Sequence, residues 1–255
     1  MLSEFLKPAK ATSKRILILG GTAEALELAA LLIEAGHQVV YSLAGVTENP
    51  VRPKCEIRNG GFGGVQGLID YLRLDKIHVV IDATHPFAAV MSHHASDAAN
   101  AIGLTRLRLE RPPWQPLKSD SWHVVVNMAE AVSALPQNAR VLVTTGRKNL
   151  CGLLSRPDLS GVIRTIEPLA ESLPVQWQSV LDRPHYSLEQ ETETMRRHEI
   201  SHLLSKNAGG SATSAKLAAA RDVGVAVVMI DRPEKPHGPT FDNVADLVTA
   251  LQRLP

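Results

Sequence analysis

Arg15-Ile16-Leu17-Ile18-Leu19-Gly20-Gly21-Thr22-Ala23-Glu24-Ala25 is the stretch on which the fold turns. An apolar run of strand length ends in two glycines. Beyond it Ala25, Leu28, Ala29, Leu32 and Ile33 recur at helical spacing, and Gly36 closes the segment. The reading is a buried strand, a tight turn and a helix. Working outward, residues 38–43 read as a second strand, 65–74 as a helix and 77–81 as a third strand. Pro86 suits the first turn of a further helix, with Phe87, Val90, His94, Ala98 and Ile102 on one face and Gly103 past its end. Residues 104–109 read as a fourth strand. Strand and helix alternate, which calls for a parallel sheet with helices on both faces.

Residues 110–120 break this rhythm with Pro112, Pro113 and Pro116, and read as a hinge between domains. The pattern then resumes. Strands are expected at 122–126, 141–145, 162–166, 175–180, 202–205 and 225–230, and helices at 128–135, 188–198, 213–223 and 243–251. Arg140-Val-Leu-Val-Thr-Thr-Gly146 echoes the opening stretch. The expected architecture is α/β, two Rossmann-like lobes, each a mainly parallel sheet flanked by helices, with a ligand cleft between them. The expected boundaries are a disordered leader at 1–14, an N-terminal nucleotide-binding domain at 15–112 and a C-terminal substrate domain at 113–255.

The composition fits this. The chain has 255 residues, 44% hydrophobic and 21% charged, which argues against disorder. Lys and Arg number 27 against 26 Asp and Glu, so no general attraction to nucleic acid is expected. The longest apolar runs fall far short of the ~20 residues that cross a bilayer, so no membrane partner is expected. The first 15 residues lack the apolar core of a secretory signal. Cys55 and Cys151 form no C-x-x-C pair, and the expected location is cytoplasmic.

Six motifs carry chemistry. Gly20-Gly21-Thr22-Ala23-Glu24 joins a strand to a helix, where backbone N–H groups and the helix dipole favour a phosphate. The alternative is a tight turn without a ligand. The second strand ends Tyr41-Ser42-Leu43-Ala44-Gly45 without the acidic residue that holds an NAD ribose, while Arg52, Lys54 and Arg58 follow. That favours a 2′-phosphate, hence NADPH over NADH. Gly60-Gly61-Phe62-Gly63-Gly64 is too glycine-dense to be costless and suits a backbone pressed against a ligand. Asp82-Ala83-Thr84-His85-Pro86-Phe87-Ala88 closes the third strand, where Thr84 or His85 can cap the next helix or face the ligand. Thr144-Thr145-Gly146-Arg147-Lys148-Asn149 and Ser205-Lys206-Asn207-Ala208-Gly209-Gly210-Ser211 are basic turns suited to carboxylates or phosphate. His198-Glu199-Ile200-Ser201-His202 fits the H-E-x-x-H zinc motif, but the α/β alternation puts its two histidines on different elements, so no metal site is assigned.

Together these motifs resemble the precorrin-6A reductase family of cobalamin biosynthesis, which also has a cobalt-precorrin-6A form. The resemblance runs from about Arg15 to Pro233 and includes Leu-Arg-Leu-Glu-Arg-Pro-Pro-Trp ending at Trp114. Asn207-Ala208 departs from the Lys-x-Ser-Gly form associated with that family. The resemblance implies an oxidoreductase that reduces one CH–CH-type double bond of a tetrapyrrole with NADPH. It implies that Gly20, Gly21, Thr22 and Glu24 lie by the coenzyme, with Ser42 near the adenosine ribose. Gly61, Gly63, Gly64, Thr84 and His85 are expected on the nicotinamide side. Arg111, Arg147, Lys148 and Lys206 are the candidates for substrate carboxylates, and His85 for proton donor. The implied partners are the precorrin-type substrate and, transiently, neighbouring pathway enzymes. Two rivals are a reductase of another anionic substrate and a non-catalytic NADP(H) sensor.

Overall fold

The computed structural model describes residues 13–45, 51–170, 172–183 and 185–255. Most of the expected leader lies outside these residues. Its last two are tied down: Ser13 Oγ donates to Gly36 O at 2.8 Å and Lys14 N–H to His37 Nδ1 at 3.2 Å.

The chain forms β1 (Arg15–Leu19), α1 (Ala23–Glu34), β2 (Gln38–Leu43), β3 (Glu56–Asn59), α2 (Gly64–Leu74), β4 (Val79–Asp82), α3 (Ala89–Ile102) and β5 (Thr105–Leu109). It continues with β6 (Trp122–Val125), α4 (Met128–Ala134), β7 (Arg140–Val143), α5 (Cys151–Leu154), β8 (Ser160–Thr165), β9 (Trp177–Leu181) and α6 (Leu188–Arg197). The last elements are β10 (His202–Lys206), α7 (Ala215–Val223), β11 (Ala226–Ile230), β12 (Thr240–Phe241) and α8 (Val244–Gln252). They build two six-stranded sheets in which every pairing is parallel, ordered β12-β5-β4-β1-β2-β3 and β6-β11-β10-β7-β8-β9.

Parallel strands are covered on both faces and therefore read as unbroken apolar runs. β1 is the example. Ile16 and Ile18 pack with Leu28 and Leu32 of α1 and Leu247 of α8, while Leu17 and Leu19 pack with Leu68 and Leu72 of α2 and Ala95 of α3. The echo at Arg140 is structural too, since β1 and β7 occupy the same fourth place in their sheets.

Two compact units result, one of residues up to Arg111 plus Glu234–Pro255, the other Pro112–Pro233. This corrects the expected 113–255 domain. The terminal segment belongs with the first unit, because Thr240 and Phe241 pair with Arg108 and Leu109 of β5. Val244, Leu247 and Leu251 then bury themselves in the same core as Leu28 and Leu107. In the second unit β6 takes the corresponding outer place beside β11. A two-residue edge strand has no periodicity of its own, which is why β12 and the four-residue β3 escape a reading by pattern.

Other elements begin later than expected. α3 starts at Ala89, capped by Ala88 without a side-chain bond, so Pro86 lies in the preceding turn and neither Thr84 nor His85 caps the helix. α7 starts at Ala215.

Candidate functional site

The coenzyme candidates gather at the carboxyl ends of β1, β2, β3 and β4 in the first unit. Gly20 N–H donates to Ser42 O at 2.9 Å and Gly60 N–H to Leu43 O at 2.9 Å, so the turns after β1 and β3 are both sewn to β2. Thr22 caps α1: its Oγ accepts from Ala25 N–H at 3.1 Å and donates to Ala83 O at 3.0 Å. The first turn of α1 is thereby fixed to the end of β4.

The two glycines of this turn do different work. Gly21 has φ +112° and open space where a Cβ would stand, so its backbone is both left-handed and accessible. Gly20 makes room for Tyr41. A Cβ there would fall 2.2 Å from the phenol ring carbon Cζ, and the ring is fully buried with its hydroxyl accepting from Gly21 N–H at 3.0 Å. Burial raises the Tyr41 pKa against the opposing pull of the bond from Gly21 N–H. Gly20→Ala is expected to displace the ring and lower stability by about 1–3 kcal/mol, read as a fall in thermal midpoint. An unchanged midpoint would show that the ring can shift freely.

The glycine-rich loop is braced from below. Arg58 donates to Gly60 O and, at 2.8 Å, to Gly61 O, while its guanidinium lies 3.7 Å from the Phe62 ring centroid. Phe62 in turn meets Tyr71 edge-on at 5.2 Å. Arg58 thus braces the loop, a task that the sequence did not assign to it. Arg52 and Lys54 are exposed. Gly63 and Gly64 have φ +81° and +85°, and among the described residues no neighbour stands within 4 Å of a Cβ built on Gly61, Gly63 or Gly64.

Thr84 is buried, and Asp82 Oδ1 accepts both its hydroxyl at 2.7 Å and its N–H at 3.3 Å. His85 is half-buried, and its Nδ1 accepts from Phe87 N–H at 3.2 Å. In the neutral ring that bond assigns the proton to Nε2, which leaves Nε2–H as the donor.

The four expected substrate cations divide. Arg111 belongs to the first unit and pairs with Glu24 at 2.7 Å, joining a residue read as substrate-binding to one read as coenzyme-binding. Arg147 and Lys148 are exposed after β7, and Lys206 ends β10 in the second unit. Burial, and then the charge of Lys148, lower the Lys206 pKa. Beside them the Thr145 hydroxyl is buried with no hydrogen-bond partner among the described residues.

The turn after β10 contains a clamp that sequence reasoning missed. Asn207 Oδ1 accepts from Trp114 N–H at 2.8 Å and its Nδ2 donates to Trp114 O at 3.2 Å. Trp114 Nε1–H donates to Gly210 O at 2.8 Å, and Arg232 donates to Asn207 O at 2.9 Å and Ala208 O at 3.1 Å. The backbone of this turn is therefore shaped without the hydroxyl that Ala208 lacks. The H-E-x-x-H match separates as expected: His198 caps α6 and His202 opens β10.

Residues 15–252 match the family described as Precorrin-6x reductase CbiJ/CobK. The chain belongs to this family. The Precorrin-6A reductase of Rhodobacter capsulatus is 42% identical over 224 residues, covering 87% of this chain and 89% of the relative. That of Rhodococcus erythropolis is 40% identical over 239 residues, covering 93% and 96%. A solved structure titled CobK precorrin-6A reductase superposes with a TM-score of 0.88 at 40% identity over 93% of this chain and 96% of that one. Membership in the precorrin-6x reductases thus spans β1 to α8, and every motif above lies inside the matched range. Among the described residues no helix is long and apolar enough to cross a membrane.

Proposed function

We infer that this protein reduces one double bond of a precorrin-6A macrocycle in cobalamin biosynthesis, with NADPH as the electron source. The observation that carries the reading is about 40% identity over nine-tenths of the chain to proteins named precorrin-6A reductase.

The residues present fit the coenzyme. Gly21 offers an open, left-handed backbone at the head of a helix whose first N–H groups have no acceptor inside it, which suits a pyrophosphate. Glu24 would oppose that charge alone, but its pairing with Arg111 neutralises it. No acid ends β2, and exposed Arg52 and Lys54 precede β3, which suits a 2′-phosphate. A nicotinamide bound there would supply hydride-transfer chemistry, and the reduction of the double bond would also need a proton. Thr84 and the glycine loop hold the reacting edge and exclude water. His85 is the proton donor in this reading. Arg147, Lys148 and Lys206 bind the acidic side chains of the macrocycle.

Calorimetric titration with NADPH and NADH side by side tests the coenzyme assignment, and turnover with precorrin-6A tests the substrate. NADPH is expected to bind at least tenfold tighter, roughly 1.4 kcal/mol, as one lost phosphate contact implies. Equal affinity for the two nucleotides, or no binding of either with the tetrapyrrole present, overturns the reading.

A further inference from the structure

We propose that Asp82 is a positioning residue for the reduction, acting through Thr84 and held in place by the buried ladder Arg108–Glu110–Lys235. This rests on the coenzyme reading above.

Asp82 is the last residue of β4, in register with Leu19 of β1 and Arg108 of β5, and is 1% exposed. A buried carboxylate is expensive unless fully hydrogen-bonded. Here it is only half satisfied. Oδ1 takes both bonds from Thr84, while Oδ2 stands 3.5 Å from Arg108 Nε, and neither of these two atoms has a hydrogen-bond partner among the described residues. Arg108 Nε lies 4.0 Å from Glu110 Oε2, and Lys235 Nζ lies 3.3 Å from the same oxygen. Charges alternate along this line, and all four side chains are largely buried.

An apolar residue at position 82 would serve the sheet better than a half-satisfied charge. What the carboxylate achieves is local. It removes both donors of Thr84 from competition and fixes the Ala83–Thr84–His85 peptides. From the other side, Thr22 Oγ holds Ala83 O. The turn after β1 and the turn after β4 are thereby one rigid piece, built from the residues assigned to the phosphate and nicotinamide ends of the coenzyme. The far end of the ladder comes from the returning segment. Lys235 pairs with Glu110, and Arg108 and Arg106 donate to Pro236 O at 2.7 Å and His237 O at 2.8 Å. The return of the chain to the first unit thus also supplies the outer support of Asp82.

The test is a double-mutant cycle on the full-length protein with NADPH and precorrin-6A. Asp82→Asn keeps the shape but turns one oxygen into a donor facing Arg108. Thr84→Val keeps the volume and removes the hydroxyl. Each is expected to lower kcat by about 10–100-fold, the usual range for an outer support of a site, with tetrapyrrole affinity unchanged. The double variant loses no more than the worse single one, because both break the same contact. Thr84→Ser, which keeps the hydroxyl, recovers most of what Thr84→Val loses. Losses that multiply, or variants with lowered melting temperature but wild-type kcat and KM in the folded fraction, overturn the proposal alone. Wild-type protein that neither binds NADPH nor turns over overturns the coenzyme reading, and the proposal with it.

Discussion

Lys216→Met is expected to stabilise the protein at pH 7 and to flatten the rise of its stability towards pH 10. Lys216 sits in the first turn of α7, 5% exposed, with its ammonium 5.1 Å from the Trp114 ring centroid. Its nearest charges form a closed pair: Arg164 donates to both carboxylate oxygens of Glu191, at 3.0 and 2.8 Å. Burial first, and then the Arg164 charge, lower the Lys216 pKa to about 7 against the pull of Glu191. An unfolded lysine titrates at about 10.4. Between these two values the unfolded chain carries a proton that the folded chain has released, so stability rises with pH across that window. Below about pH 7 both states are protonated and the cost is fully present. The limiting slope for one proton is ~1.4 kcal/mol per pH unit, or about 2–3 kcal/mol between pH 7 and pH 9. Methionine has a similar volume and no proton to lose. Urea unfolding of both proteins at pH 7 and 9 is the measurement, and parallel pH profiles would sink the argument.

Lys206→Met and Arg147→Ala are each expected to weaken tetrapyrrole binding by roughly 10–100-fold while leaving NADPH affinity within about threefold. Both belong to the unit that does not contain the Gly20–Thr22 turn. Truncating one partner of a desolvated charge pair costs about 2–5 kcal/mol, and the exposed Arg147 should fall at or below the low end. Lys206 should also impose a pH dependence. Burial and Lys148 lower its pKa, so tetrapyrrole affinity should fall as pH rises through that depressed value, earlier than for an ordinary lysine. Fluorescence titration of each ligand against each variant decides it. Equal losses for the two ligands would remove these residues from the substrate site.

Much of this was legible in the chain. The opening stretch read as strand, turn and helix because a strand covered on both faces must be apolar throughout. The placement of glycines at turns was equally readable, but their tasks were not. Gly20 and Gly21 look alike in sequence, yet one accommodates the Tyr41 ring and the other presents open backbone. Arg58 reads as a phosphate ligand because a guanidinium after β2 is drawn to anions, and only the folded loop shows that it also holds Gly60 O and Gly61 O. The Thr-Arg-Leu-Arg-Leu run of β5 was read as a plain strand. Its alternating arginines were the available sign of a charged buried face, and with it of the ladder behind Asp82.

The sequence by itself determined the α/β class, the two-unit plan, the glycine turns at the strand ends and the separation of the two histidines of the H-E-x-x-H match. These follow from local spacing, which any stretch of ten residues displays. Tertiary structure alone decided where the last 22 residues belong, that Glu24 and Arg111 are one pair, and that Asn207 holds Trp114. Each of those joins residues far apart in the chain. A parallel strand finds its partner through a crossover, and a buried charge finds its counter-charge only after the backbone has closed, so neither leaves a local mark to read.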